Sequence, residues 1–147
     1  MGDDPETRLA ALEVLKYLRP DATGDLFAEV LRSTDDAAYV VTEVNRQVVA
    51  VIGWRIRVST RWGRHLYIDD LVVLPEFRGQ GHGQSLLDRA LREARKASCS
   101  AVVVDTATGT GGAALALCRA AGLVESGIQL HLELTPNAPA SQPVHDA

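Results

Sequence analysis

Leu66-Tyr67-Ile68-Asp69-Asp70-Leu71-Val72-Val73-Leu74-Pro75-Glu76-Phe77-Arg78-Gly79-Gln80-Gly81-His82-Gly83-Gln84-Ser85-Leu86-Leu87 carries three signals in succession. A β-rich run ends at Pro75, a basic glycine-rich loop covers residues 78–83, and an apolar helical pattern starts directly behind it. Strand, glycine loop and helix N-terminus in that order build a backbone pocket for a phosphate group. Three glycines in five residues let successive N–H groups converge without obstruction from Cβ atoms. The helix start adds unpaired N–H groups and a positive dipole end, and Arg78 adds a fixed charge. The spacing is not the dinucleotide fingerprint, because Gly83 arrives one residue early for G-x-G-x-x-G.

On either side of this stretch the chain reads as one α+β domain over residues 1–134. Asp4-Pro5-Glu6 is a helix start, with Asp as N-cap and Pro in the first turn. Leu9, Leu12, Val14, Leu15 and Leu18 follow as the expected buried face, and a second helix is expected over 25–32. Residues 39–44, 48–58 and 65–74 read as an antiparallel meander, with Gly53 a site of a bulge or close approach. After the loop a helix runs to about Ala97. Residues 101–105 form a short apolar strand of the type buried on both faces. Residues 106–112 form a Gly/Thr-rich loop, 113–121 a small-residue helix stopped by Gly122, and 126–134 a last alternating strand. The Pro-rich residues 135–147 read as a disordered tail.

The 147 residues suit one domain with a sizeable core, and 46% hydrophobic content is that of an ordinary soluble globule. No apolar run approaches the roughly 20 residues of a membrane helix. A formal net charge of −4 provides no basic field for nucleic acid. Cys99 and Cys118 have neither metal spacing nor a disulfide framework, so no metal site is expected and a reducing cytoplasm is the default.

Leu71-x-Val73-x-Pro75-x-x-Arg78-Gly79-x-Gly81-x-Gly83 closely resembles the central motif of the GNAT superfamily of acyl-CoA N-acyltransferases, whose Q/R-x-x-G-x-G/A signature is met by Arg78, Gly81 and Gly83. The resemblance implies a mixed, mostly antiparallel sheet flanked by helices. It also implies N-acetyl transfer from acetyl-CoA, as cosubstrate, to a small-molecule or protein amine. The helix signal at Asp4 leaves no room for the family's opening strand, so that strand is expected to be missing. By the same resemblance, the backbone of Gly79, Gln80, Gly81, His82, Gly83 and Gln84, with Arg78, would hold the pyrophosphate. The pantetheine arm would run along Leu71, Val72 and Val73, and the thioester would sit where this strand splays from residues 101–105. The Val73 N–H would then face the thioester oxygen. The family's last helix begins near an Asn that touches the pantetheine arm and carries a Tyr that protonates the leaving thiolate. The matching positions here are Gly111 and Cys118.

Acyl transfer to an amine also needs a base for the ammonium proton. Strict alternation places His65, Tyr67 and Asp69 with Leu71 and Val73 on one face, and Asp70 on the other with Leu66, Ile68, Val72 and Leu74. Asp69 is the expected amine-facing carboxylate and His65 and Tyr67 are further candidates, while Asp70 takes over if the register slips. An acid on a strand can equally pair with an arginine such as Arg55 or Arg57. Cys118 is either the proton donor or a packing residue. Two other readings compete: a GNAT-like acyl-CoA-binding or sensing module with weak or no turnover, and a methyltransferase suggested by residues 103–111. The latter fold needs several βα units beyond that motif. An open edge at the last strand is compatible with a homodimer.

Overall fold

The computed structural model describes residues 4–33, 35–106 and 112–134. The elements are α1 (Pro5–Leu15), α2 (Gly24–Arg32), β1 (Ala38–Val44), β2 (Gln47–Ser59), β3 (Gly63–Val73), α3 (His82–Lys96), β4 (Ala101–Val104) and α4 (Ala113–Ala120). A single 3-10 turn, Pro75–Phe77, separates β3 from the glycine loop. The sheet order is β1-β2-β3-β4, with the first three strands antiparallel and β4 parallel to β3. This is the expected α+β architecture, and among the described residues no strand precedes α1.

Local chemistry sets most boundaries. Asp4 caps α1 by accepting from the N–H groups of Glu6 and Thr7. Thr23 caps α2 through the Leu26 N–H. Asn45 and Arg46, both at positive φ, make the tight β1–β2 turn. Ala11, Leu12, Val14 and Leu15 are buried, whereas Leu9 is 62% exposed. At 3.6 residues per turn Leu9 falls opposite Ala11 and Val14, so its inclusion in the buried face is corrected.

The core centres on β2. Val49, Ala50, Val51 and Ile52 are all fully buried, so both faces of the strand are covered, and α1 and α3 supply the covers. Gly53 is a close approach: an added Cβ would lie 2.3 Å from Tyr39 Cε1. The register also breaks there. Gly53 pairs with Asp70 and Trp54 with Ile68, which leaves Asp69 as the extra residue of a bulge in β3.

Two expectations are overturned at the far side of the sheet. β4 is half-buried along its whole length rather than buried on both faces, because it is the sheet edge and borders an open cavity. Residues 126–134 form no strand, and Ile128, Leu130, Leu132 and Leu134 are exposed. The alternation is present in the sequence, but a strand requires a neighbour to pair with, and among the described residues no backbone ladder joins this segment to β4. Residues 107–111, which include Gly111, and residues 135–147 lie outside the described residues.

Replacing Gly53 by Ala should lower stability by about 1–3 kcal/mol through overpacking against Tyr39. A urea-unfolding midpoint equal to that of the parent protein would show that the ring moves aside freely.

Candidate active site

β3 is longer than its parallel partner. The β3–β4 ladder pairs His65 with Ala101 and ends at Ile68 with Val104, while β3 continues to Val73. Beyond Ile68 the strand is held only by β2, and its other edge has no strand partner among the described residues. The polarity of that edge follows from two bonds. The Leu74 N–H donates to Val49 O of β2 at 2.8 Å, so the alternating backbone turns the Val73 N–H and C=O the opposite way. Arg78 Nε donates to that Val73 carbonyl at 3.2 Å. Leu71 and Val72 are buried and Val73 is half-buried beside them.

The glycine loop follows at once. Gly79 and Gly81 have φ of 78° and 86°, a left-handed conformation that disfavours any side chain. A Cβ on either would meet nothing within 4 Å, so the space in front of the loop is open. Gly81 is the N-cap of α3 and has no side-chain cap, and the first helical bond runs from Ser85 N–H to Gly81 O. The N–H groups of His82, Gly83 and Gln84 therefore have no partner inside the helix. Gly83 serves a different purpose: its Cβ would sit 3.0 Å from Leu117 Cδ2 and 3.4 Å from Val73 Cγ2, so its bareness lets α3, α4 and β3 meet. Gln80 and Gln84 are exposed at the rim. His82 opens α3 near the Phe77 ring, and its Nε2 is shielded without a hydrogen-bond partner. Open space, convergent N–H groups and a helix dipole fit an anionic group such as a pyrophosphate.

The bulge changes the polar face of β3. With Asp69 inserted, strict alternation fails, and Asp69 and Asp70 both line a cavity of about 700 Å³ beneath α1 and α2. Each acid has its own cation. Arg55 Nη2 lies 2.7 Å from Asp69 Oδ1, the arginine pairing that the sequence left open. Arg19 Nε lies 3.2 Å from Asp70 Oδ1, and Arg19 Nη2 donates to the Asp69 carbonyl at 3.2 Å. Tyr39 Oη donates to Asp70 Oδ2 at 2.7 Å. Loss of water pushes the Asp69 carboxyl above its ordinary pKa, against the pull of Arg55 and with the repulsion of Asp70. Burial first, and then the Asp70 charge, push the Tyr39 phenol up.

The remaining candidates are scattered. Tyr67 lies at the base of the cleft with its hydroxyl donating to Asp105, which also accepts from Gln129 Nε2 at 2.8 Å. Desolvation and the Asp105 bond raise the Tyr67 phenol to about 12. The guanidiniums of Arg57 and Arg55 stand 5.0 and 5.7 Å from its ring centre. His65 is 2% exposed, its Nδ1 lies 3.0 Å from Gly63 O, and it lines neither described cavity. His65, a candidate base by alternation, is thus a core residue. Cys118 is buried on α4 at the edge of a second cavity, and desolvation raises its thiol pKa.

Sequence reasoning missed Arg19, Tyr39 and Asp105. Arg19 sits in a helix-ending Arg-Pro pair and Tyr39 in a strand 31 residues before Asp70, so no local spacing joins them to β3.

The geometry has close parallels among known proteins. An uncharacterized N-acetyltransferase of Bacillus subtilis (strain 168), YhdJ, is 45% identical over 53 residues, covering 36% of this chain and 37% of that protein. The match thus spans little more than a third of that curated relative. A Trypanosoma brucei acetyltransferase superposes with a TM-score of 0.71 at 24% identity, covering 89% of this chain and 95% of that one. AAC(6')-Iy, solved with the bisubstrate analogue CoA-S-monomethyl-acetylneamine, superposes with a TM-score of 0.73 at 17% identity, covering 89% and 93%. At these identities the likeness to the solved structures is one of fold. Residues 7–123 match the sequence profile of the Acetyltransferase (GNAT) family, and with the β3 cleft and glycine loop in place the chain belongs to the GNAT acetyltransferase family.

Proposed function

We propose that this protein is an N-acetyltransferase that moves an acetyl group from acetyl-CoA to a primary amine by direct attack on the thioester. The observation that carries the reading is the free edge of β3 beyond Ile68, which leads straight into a loop of left-handed glycines. Backbone N–H groups from Gly79 to Gln84 take the pyrophosphate, and the pantetheine arm lies along residues 71–73 as an added strand would. The Val73 N–H, turned away from β2, donates to the thioester oxygen as it gains negative charge.

Asp69 is the carboxylate that receives the ammonium proton, directly or through water. Its raised pKa improves it as a base, while the Arg55 charge and hydrogen bond favour its ionised form. The neutral amine then attacks the carbonyl carbon, the C–S bond breaks, and the thiolate takes up a proton. Burial disfavours the anion that Cys118 would become on giving up its own proton, so that proton comes from solvent and Cys118 serves as packing. Tyr67 and Asp105 brace the base of the cleft.

The acceptor enters through the cavity under α1 and α2. Its volume of about 700 Å³ suits a small molecule. Leu12, Leu15, Phe27 and Val30 supply apolar wall, and Asp69 and Asp70 supply the acidic end. That combination selects an amine on an apolar body. A panel spanning arylalkylamines, amino sugars and peptides, read by thiol release from acetyl-CoA, tests this. Tight acetyl-CoA binding with no turnover on any amine would instead favour a sensing module.

Gly81→Glu should abolish acetyl-CoA binding in calorimetry, because it forces a side chain and a negative charge into the loop; retained binding would remove the loop from the site. Asp69→Asn should cut turnover by about 10²–10⁴ with little change in acetyl-CoA affinity. Because Asp69 is a base only when ionised, kcat/KM of the parent enzyme should decline as pH falls through its raised pKa. That acidic limb should vanish in Asp69→Asn. Arg55→Gln removes the charge and hydrogen bond that most oppose desolvation at Asp69, leaving the Arg57 charge against desolvation and Asp70, so its carboxyl ¹³C titration should move to higher pH. An unmoved titration would break the link between the two side chains.

A further inference from the structure

Asp69 depends on Arg55, yet β2 by itself does little to fix that guanidinium. The Arg55 side chain is 41% exposed, and its Nε is shielded without a hydrogen-bond partner. A long side chain held by a single charged contact retains many other rotamers, and ordering it costs entropy. Arg57 is exposed, and among the described residues it makes neither a hydrogen bond nor an ion pair.

Both guanidiniums meet one ring. Arg55 Cζ stands 5.7 Å and Arg57 Cζ 5.0 Å from the ring centre of Tyr67. At that range the negative face of an aromatic ring attracts a cation. The strand register arranges the contact. Arg55 and Arg57 are alternate residues of β2 and share a face, with Tyr67 across from Arg55 and His65 across from Arg57. The bulge produces this pairing: unbroken pairing onward from Gly53 and Asp70 would set Arg55 opposite Ile68. The ring is itself anchored. Tyr67 Oη donates to Asp105, just past β4, and Asp105 also accepts from Gln129 Nε2 at 2.8 Å.

We infer that Tyr67 is a positioning residue for the base: its ring seats Arg55 and Arg57 so that their charges fall on the Asp69 carboxylate. The inference rests on Asp69 as the proton acceptor of the proposed reaction. Burial and the Asp70 charge favour the neutral carboxyl, while Arg55 and Arg57 favour the ion. Arg19, behind α1, is tied to Asp70 and to the Asp69 carbonyl, and Tyr39 of β1 is tied to Asp70. Those ties do not involve Tyr67, so a change at Tyr67 releases the arginines on its ring and leaves the other groups in place. The Tyr67 phenol, raised to about 12, is neutral at working pH, so removing it deletes no charge. Loss of the ring therefore weakens the pull on the ion and raises the Asp69 carboxyl further. A merely structural loss that admitted water would lower it instead.

The test is the Asp69 carboxyl ¹³C titration, read beside the pH profile of kcat/KM for whichever amine of the panel turns over. In Tyr67→Leu both should move to higher pH by the same amount. Tyr67→Phe keeps the ring and should titrate close to the parent. In an Arg55→Gln/Arg57→Gln background, Tyr67→Leu should cause no further movement, because the groups it acts through are gone. A Tyr67→Leu titration that stays put or moves to lower pH overturns the inference. So does Tyr67→Phe moving as far as Tyr67→Leu, or further upward movement in the arginine-free background. A titration that moves while the acidic limb stays put supports the seating by the ring and overturns Asp69 as the base. The parent protein gives an independent reading that needs no variant to fold. Ring current should shift the Arg55 and Arg57 side-chain protons upfield of their unstructured positions, and unshifted protons overturn the inference.

Discussion

The structure depends on where one ladder stops. β3 and β4 share backbone hydrogen bonds only as far as Ile68 and Val104, and five more residues of β3 continue without a partner on that side. An unpaired strand edge inside a protein is costly unless something supplies donors and acceptors. Here β2 holds the far edge through Val73 and the Leu74–Val49 bond, so the strand stays extended while its near edge remains open. A rigid strand with one free edge is what an extended ligand needs in order to bind as an added strand. The Arg78 bond to the Val73 carbonyl shows that this edge is competent to hydrogen-bond.

The second constraint is the extra residue at Asp69. Without the bulge, Asp69 and Asp70 would face opposite sides of the sheet. With it, both border one cavity, and the like charges are tolerated because Arg55 and Arg19 stand beside them. The close packing of Tyr39 on Gly53, directly across from Asp70, ties the bulge to β1 and aims the Tyr39 hydroxyl at Asp70. Packing and electrostatics are therefore coupled: the residue that fills the space over Gly53 also orients one of the two acids. The Asp69 carboxyl, less tightly enclosed, keeps a raised pKa and access to the cavity.

The glycine loop shows how one motif serves unlike needs. Gly79 and Gly81 are required by backbone conformation and leave open space in front of them. Gly83 is required by contact, since Leu117 of α4 and Val73 of β3 close over it. The open space before the loop and the seating of α3 against β3 thus depend on neighbouring residues. The loop cannot shift relative to Val73 without repacking Leu117.

The loop, the strand before it, the helix behind it and the antiparallel meander were legible in the sequence alone. Each rests on short-range chemistry: glycine conformations, β-branched runs, helical periodicity and caps. So was Asp69 as a candidate, since any acid on the strand leading to the loop invites attention. What only the tertiary structure decided is which residues stand around it. The bulge that puts Asp70 beside Asp69, the approach of Arg19 and Tyr39, and the burial of His65 come from chain segments far apart in sequence. The same holds for residues 126–134. Their alternation was legible as a strand signal, but a strand is made by its neighbour, and sequence periodicity describes only the faces a segment could present, not the edge it would meet.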